Sequence, residues 1–340
     1  MSPPGAAEAP GASGAPQAPI TVVLPVYGRA PLVELAVASV QSQSDPHWRL
    51  LIADDGSDPA TEALLRRLAA TDGRIRLVRR PCNLGLFANL NAALAELDTP
   101  WLLILCSDDL LEPEALVVLR GLITAHPACD LVLSSYRSID AAGAFRFDVN
   151  GWYTDHFAPT SREFAAGALL PVLLRFGSIN GNITGLLIRA SLFARTGPWR
   201  QDWRQAADWE WLIRAAEHTA VLVNRRPIAR VRVHTQQLST ANRIDQREGE
   251  EITAVLRLLR HHPLLGRWPQ RHRWAAYHAQ FLLWNALKAL PRVGWRATAR
   301  QLNLIRHRIG LGRTALALLA VLPGRLRIRG TDRPLPPPAP

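Results

Sequence analysis

Residues 48–58 read Trp48-Arg-Leu-Leu-Ile-Ala-Asp-Asp-Gly-Ser-Asp58: an apolar run, a carboxylate pair and a turn. Trp48 to Ala53 has the length and composition of a buried strand, and Asp54-Asp55-Gly56-Ser57-Asp58-Pro59 carries the residues that end one. The pattern recurs at Trp101 to Leu105, which closes at Ser107-Asp108-Asp109. Upstream, Ile20-Thr-Val-Val-Leu-Pro-Val26 is a continuous run of the kind found in strands buried on both faces. Ile75 to Val78 and Leu131 to Ser134 predict two further strands. Between them the period becomes helical: Pro31 to Gln43, a segment around Leu64, Leu65 and Leu68, Phe87 to Leu97, and Glu112 to Thr124 with Pro113 in its first turn. Strand and helix alternate over short connections, which predicts an α/β fold with an open, mainly parallel twisted sheet flanked by helices. Such sheets bind ligands beyond the carboxyl ends of their strands, and both acidic pairs fall there.

Adjacent carboxylates repel unless a positive charge lies nearby. A divalent cation with phosphate oxygens supplies it, and hard oxygen ligands suit Mg²⁺ or Mn²⁺. Each pair alone also reads as a turn with an Asp cap. Strand one is not followed by G-x-G-x-x-G, and the chain holds no G-x-x-x-x-G-K-[ST], so neither an NAD-type site nor a P-loop is expected.

Val22-Val-Leu-Pro-Val-Tyr27, Leu51-Ile-Ala-Asp-Asp-Gly-Ser-Asp58, Asn83-Leu-Gly85 with Asn91, and Ile104-Leu-Cys-Ser-Asp-Asp109 come in an order and spacing that resemble the family 2 glycosyltransferases. The resemblance covers residues 20–240 and implies the GT-A fold, a nucleotide-sugar donor, a divalent metal and inversion at the transferred sugar. By motif position, Pro25 and Tyr27 line the base and ribose pocket and Asp55 accepts from the base. Asn83, Gly85 and Asn91 match the N-x-G…N stretch. Asp109 takes the place of the metal ligand and Asp108 that of the ribose or metal-shell contact, with Ser107 at the first place of the D-x-D motif. Position 90, often basic in relatives, is Leu.

Further along, Ser178-Ile-Asn-Gly-Asn-Ile-Thr-Gly-Leu-Leu187 runs from a polar loop into an apolar strand. The resemblance puts Asn180, Asn182 and Gly185 under the acceptor; turn formation is the competing reading. Asp208, in Ala207-Asp-Trp-Glu-Trp-Leu212, stands at a helix start, where a carboxylate serves as a cap or, by motif position, as the general base. Glu210 is the reserve base. Trp199, Trp203 and Trp209 read either as sugar-stacking rings or as core. Val231-Arg-Val-His234-Thr-Gln-Gln-Leu-Ser239 resembles the family's closing segment, with His234 near metal and diphosphate and Arg232 on phosphate.

The 340 residues carry 40 Lys+Arg against 28 Asp+Glu, a net +12, with 48% apolar residues and 11 Trp. That excludes a collagen-like or wholly disordered chain. Cys82, Cys106 and Cys129 form neither a disulfide framework nor a metal pair, which predicts reduced, intracellular thiols. The charge is uneven: residues 251–340 hold 16 basic and 2 acidic side chains, whereas residues 1–250 hold 24 and 26. The expected organisation is a disordered tail (1–19), a catalytic domain (20–240), a basic helical region (241–330) and a second tail (331–340). No signal peptide and no spanning helix is expected. Basic amphipathic helices with Trp and Leu suit an anionic membrane interface, which predicts a cytoplasmic protein at the inner membrane face; a solvated cap on the catalytic domain is the alternative. No nucleic-acid module is recognisable.

The function expected is transfer of a sugar from a UDP-sugar to a hydroxyl of a glycan or lipid-linked glycan, as in surface polysaccharide assembly. The alternatives are a polyprenyl-phosphate glycosyltransferase, whose anionic acceptor needs less of a base, and a non-catalytic nucleotide-sugar-binding protein.

Overall fold

The computed structural model describes residues 18–150, 154–179, 183–234 and 247–327. Its N-terminal half alternates β1 (Ile20–Val26), α1 (Ala30–Gln41), β2 (Trp48–Asp54), α2 (Pro59–Thr71), β3 (Ile75–Arg79), α3 (Leu86–Leu94) and β4 (Trp101–Ile104). All seven residues of β1 are buried, because β1 lies between β2 and β4, parallel to both, with helices covering its faces. Asp58 caps α2 by accepting from the N–H groups of Ala60 and Thr61, both at 3.0 Å.

The short β5 (Leu110–Leu111) and α4 (Ala115–Ala125) follow. The helix expected from Glu112 starts three residues later, and Pro113 lies ahead of it. The reason is that Leu110 and Leu111 pair with a later strand, and the Glu112 N–H donates to the Ile228 carbonyl at 2.8 Å. Then come β6 (Cys129–Ile139), β7 (Phe145–Asp148), β8 (Arg162–Phe164), α5 (Leu170–Phe176), β9 (Leu186–Arg189), α6 (Leu192–Thr196), α7 (Ala207–His218) and β10 (Ala220–Arg232).

The sheet runs β3-β2-β1-β4-β9-β6-β10-β5, with β7 on β6 and β8 on β10. It is parallel from β3 to β4 and between β6 and β10. β9 wedges in antiparallel between β4 and β6. That insertion joins the alternating N-terminal half to the second half, and it carries residues 183–185 to the ends of β4 and β6.

The C-terminal region is helical: α8 (Arg247–Arg260), α9 (Arg271–Arg308, broken at Gly294, where φ is +77°) and α10 (Leu311–Arg327). Ile252, Val255, Leu256 and Leu259 form the buried stripe of α8, the face its periodicity predicts. One apolar cluster runs from β1 and β4 through α5 and α7 to Val255, Trp274, Leu283 and Ile305. Burying each such side chain is worth roughly 1.5–3 kcal/mol. The basic region is therefore packed by its apolar face onto α5 and α7, with most of its arginines exposed and Arg260, Arg271 and Arg308 partly buried. Among the described residues no helix is long and apolar enough to cross a membrane.

Candidate active site

A cavity of about 470 Å³ opens at the carboxyl ends of β1, β2 and β4. Pro25, Tyr27, Arg29, Asp55, Asn83 and Gly85 line one part of it, and Ser107, Asp108, Tyr136, Arg204, Gln205 and Asp208 another.

Tyr27 is 59% exposed, a large ring left at a strand end with no core to fill. Asp55 is buried; its Oδ1 accepts from the Leu84 N–H at 2.8 Å and its Oδ2 from the Gly85 N–H at 2.9 Å. Asn83 Oδ1 accepts from the same Gly85 N–H at 2.9 Å. Gly85, with φ +90°, turns the chain into α3. Gly56 carries φ +74°, and a Cβ there would stand 2.8 Å from the Cys82 carbonyl carbon, so only glycine lets the two loops touch. Asp54 lies under this layer, held by Arg79 at 2.9 Å.

Asp108 and Asp109, adjacent in sequence, face different surroundings. Asp108 Oδ2 faces the cavity, 3.1 Å from Arg29 and 3.1 Å from His234 Nε2. Asp109 is fully buried; its Oδ2 accepts from Thr184 Oγ1 at 2.5 Å and its Oδ1 from the Arg232 N–H at 2.8 Å. Cys106, Asp108 and Asp109 bring one donor atom each to within 4.8 Å of one another. Burial and the two carboxylates raise the Cys106 thiol well above its usual pKa and keep it neutral, so the hard donors here are oxygens. Two ligands at right angles around an ion at about 2.1 Å stand about 3 Å apart. Asp108 Oδ2 and His234 Nε2 have that separation, so the residues present fit a small divalent cation.

Asp208 lies in the first turn of α7, half-buried in the cavity wall. It is not the cap: Ala206 holds that position. Burial pushes the Asp208 carboxyl up to about 6 against the pull of the nearby N–H groups and of Ser178 Oγ, 3.4 Å away. A carboxylate poised near neutrality in a cavity suits proton abstraction.

Several expected contacts fall elsewhere. Asn91 does not line the cavity; its amide exchanges two hydrogen bonds with the Trp199 backbone, at 2.7 and 2.9 Å. Arg232 is buried, its guanidinium on the carbonyls of Asp108, Asp140 and Ala141, so it braces the acidic loop. Glu210 is buried and paired with Arg214 at 2.7 Å. Trp199 and Trp209 are core, and Trp203 packs against that core beneath Arg200. Gly185 supports the β9 wedge through its N–H to the Ile104 carbonyl at 2.9 Å. Asn180 and Asn182 lie outside the described residues.

Residues 21–166 match the family model for glycosyl transferase family 2. Over these residues the chain is similar to the family 2 glycosyltransferases. Over 202 residues, 58% of its length, the chain is 33% identical to the uncharacterized protein y4gI of Sinorhizobium fredii, and it covers 20% of that protein. Over 90 residues, 26% of the chain, it is 34% identical to the putative teichuronic acid biosynthesis glycosyltransferase TuaG of Bacillus subtilis, covering 36% of it. The chain thus spans well under half the length of these curated relatives. Among solved structures, S. aureus TarS 1–349 in complex with UDP-GlcNAc superposes with a TM-score of 0.66 at 12% identity, over 90% of this chain and 92% of that one. Mannosyltransferase PcManGT of Pyrobaculum calidifontis, in complex with GDP-Man and Mn²⁺, superposes with 0.55 at 18%, over 90% and 86%. The chain therefore has the GT-A fold, as the sequence motifs imply.

Sequence reasoning missed several residues at this site. Arg29 is the one non-glycine residue with positive φ among the described residues (+62°), and this strained conformation aims it at Asp108. Its place directly after Tyr27-Gly28 was the available signal. Thr184, in the turn that leads into β9, fixes Asp109 and also accepts from the Cys106 N–H at 2.9 Å. Arg204 and Gln205 reach the cavity from a loop with no motif.

Proposed function

We propose that this protein is an inverting glycosyltransferase that moves a sugar from a nucleoside-diphosphate donor, a UDP-sugar, to a hydroxyl of a glycan or lipid-linked glycan. The supporting observation is that one cavity gathers the nucleotide-side residues (Pro25, Tyr27, Asp55, Asn83, Gly85), Asp108 and Asp208, with His234 Nε2 3.1 Å from Asp108 Oδ2. The donor-bound TarS and PcManGT structures support the donor class through fold, and TuaG supports a polysaccharide-type acceptor.

In this reading Tyr27 and Pro25 pack against base and ribose, and Asp55 accepts from the base. Asp108 and His234 would hold Mn²⁺ or Mg²⁺, Asp108 taking the place that motif position gives Asp109, because Asp109 is buried behind them on Thr184 and the Arg232 N–H. Such an ion, when bound, offsets the negative charge that the departing diphosphate gathers. Asp208 accepts the acceptor's hydroxyl proton as that oxygen bonds to the sugar C1 and the C1–O bond to the diphosphate breaks. One displacement inverts the anomeric centre and leaves no covalent enzyme intermediate. The test is turnover over a panel of nucleotide sugars with Mn²⁺ present. Product formed from a UDP-sugar with inverted configuration is the expected result. Donor binding by calorimetry without transfer or hydrolysis would make it a binding protein. Full activity of a folded Asp208→Asn would favour a polyprenyl-phosphate acceptor, already anionic.

The same reading places the protein against an anionic membrane surface. Arg257 and Arg260 on α8, Arg271 on α9 and Arg313 on α10 crowd one helix junction. Burial and its three neighbours hold the Arg260 guanidinium below its usual pKa. Leu258, Leu264, Leu316 and Leu319, on the same helices and the loop between them, are all at least half exposed. Cations beside exposed leucines suit phosphate headgroups over an acyl boundary.

A further inference from the structure

Helix α7, which carries Asp208, opens on Ala206 and has no side-chain cap of its own. The N–H groups ahead of a helix need acceptors, and here these come from a distant segment. Glu251, near the start of α8 and itself buried, accepts from the Arg204 N–H through Oε1 at 2.9 Å. Its Oε2 accepts from the Gln205 N–H at 2.7 Å and the Ala206 N–H at 2.9 Å. One carboxylate thus binds three consecutive backbone donors 45 to 47 residues away in sequence. Arg204 and Gln205 line the cavity, and Asp208 follows Ala206 by two residues.

We infer that Glu251 is a positioning residue for the transfer reaction: it clamps the backbone of residues 204–206 and through it sets the first turn of α7, so that the basic C-terminal helices complete the active site. The inference rests on the reading of Asp208 as the base. A shift of the 204–206 loop moves both the cavity wall and the carboxylate, and misplacement of about 1 Å can cost roughly 100-fold in rate.

Glu251 has a second effect, since its negative charge adds to the burial that raises the Asp208 carboxyl. The other groups facing that carboxyl are Ser178, from the loop after α5, and the N–H groups of Asp208 and Trp209. Charged groups on the elements packed against α7 are Arg175 on α5, Arg195 on α6, and Glu248, Glu250, Arg257 and Arg260 on α8. His278 on α9 packs against Trp209 and donates its Nε2–H to the Arg175 carbonyl at 2.8 Å; burial lowers its pKa to about 4, so it stays neutral.

Glu251→Gln in the full chain separates the effects. The amide keeps the shape but turns an N–H₂ group toward a backbone N–H and removes the charge. We expect kcat to fall about 10- to 100-fold, a smaller rise in donor KM, and an acid limb of the pH–rate profile displaced to lower pH. Glu251→Ala should lose more; if it fails to fold, the glutamine variant still decides. Glu251→Asp, which keeps the charge, should retain the wild-type acid limb more closely than glutamine does. Glu251→Gln with a lowered Tm but unchanged kcat, KM and acid limb would reduce Glu251 to a structural cap and overturn the inference. The underlying reading fails separately: if Asp208→Asn is fully active, the base assignment falls and the clamp's catalytic role with it. If Asp208→Asn is inactive while Glu251→Gln overlays the wild type, only the clamp falls.

Discussion

On the proposed reading, Asp208 trades stability for chemistry. Its folded-state carboxyl sits at about 6 against 3.8 for the free side chain. The fold therefore favours the neutral form, an advantage fully present below pH 3.8 and lost as pH rises through about 6. Ionisation at neutral pH costs up to about 3 kcal/mol. Asp208→Asn should lower kcat by about 10²–10⁴. Its Tm at pH 8 should equal or exceed that of the wild type, and the gap should close near pH 4. A Tm well below wild type at pH 8 would mark Asp208 as structural. For the wild type, kcat should decline with slope one as pH falls through about 6; a flat profile from pH 5 to 8 would exclude this carboxyl as the base. Asp108 and His234 offer a second test. His234→Ala should raise the Mn²⁺ needed for half-maximal rate by about tenfold or more, and EDTA should abolish turnover. Indifference to both would remove the cation from the reaction.

The acidic strand ends work because neighbouring elements hold them. The β2 end and the loop before α3 meet across Gly56, and Asp55 locks the contact through Leu84 and Gly85. Gly56→Ala adds left-handed strain and a 2.8 Å clash with the Cys82 backbone. It should destabilise the protein by about 2 kcal/mol or more. It should also raise donor KM more than it lowers kcat, because the displaced loop is on the nucleotide side. Wild-type melting and KM would show that the two loops are not in close contact. In the second acidic loop, β9 plays the corresponding part: Thr184 and the β10 end turn Asp109 inward, which leaves Asp108 toward the cavity.

For the whole molecule, the net +12 divides into a nearly neutral sheet domain and a basic helical layer whose apolar face is continuous with the core. Because Glu251 ties that layer to α7, deleting it would remove active-site support along with any surface contact. Charge reversal is the cleaner probe. Arg257→Glu with Arg313→Glu should abolish sedimentation with phosphatidylglycerol vesicles and leave kcat on a soluble acceptor unchanged. Binding to those vesicles equal to that of the unchanged protein would refute the membrane contact.

Local pattern determined much of this protein. Continuous apolar runs ending in Asp54-Asp55 and Asp108-Asp109 named the strands, their carboxyl ends and the edge where the cavity opens, because burial on both faces and turn chemistry are written in consecutive residues. Asp208 was legible for the same reason, as an acid opening an amphipathic helix. Contacts between segments far apart in sequence decided the rest. Whether Asp108 or Asp109 faces the cavity depends on Thr184 and the Arg232 backbone, 75 and 123 residues beyond Asp109. Asn91, Arg232, Trp199 and Trp209 had side chains suited to ligands, yet packing assigned them to loop bracing and core. Glu251 carried no motif: one of three glutamates in the first turns of α8, it reads as solvated surface until the fold brings three backbone N–H groups to it. Sequence encodes what each segment can form; only the assembled structure fixes which side chains are used up holding the segments together and which remain for the ligand.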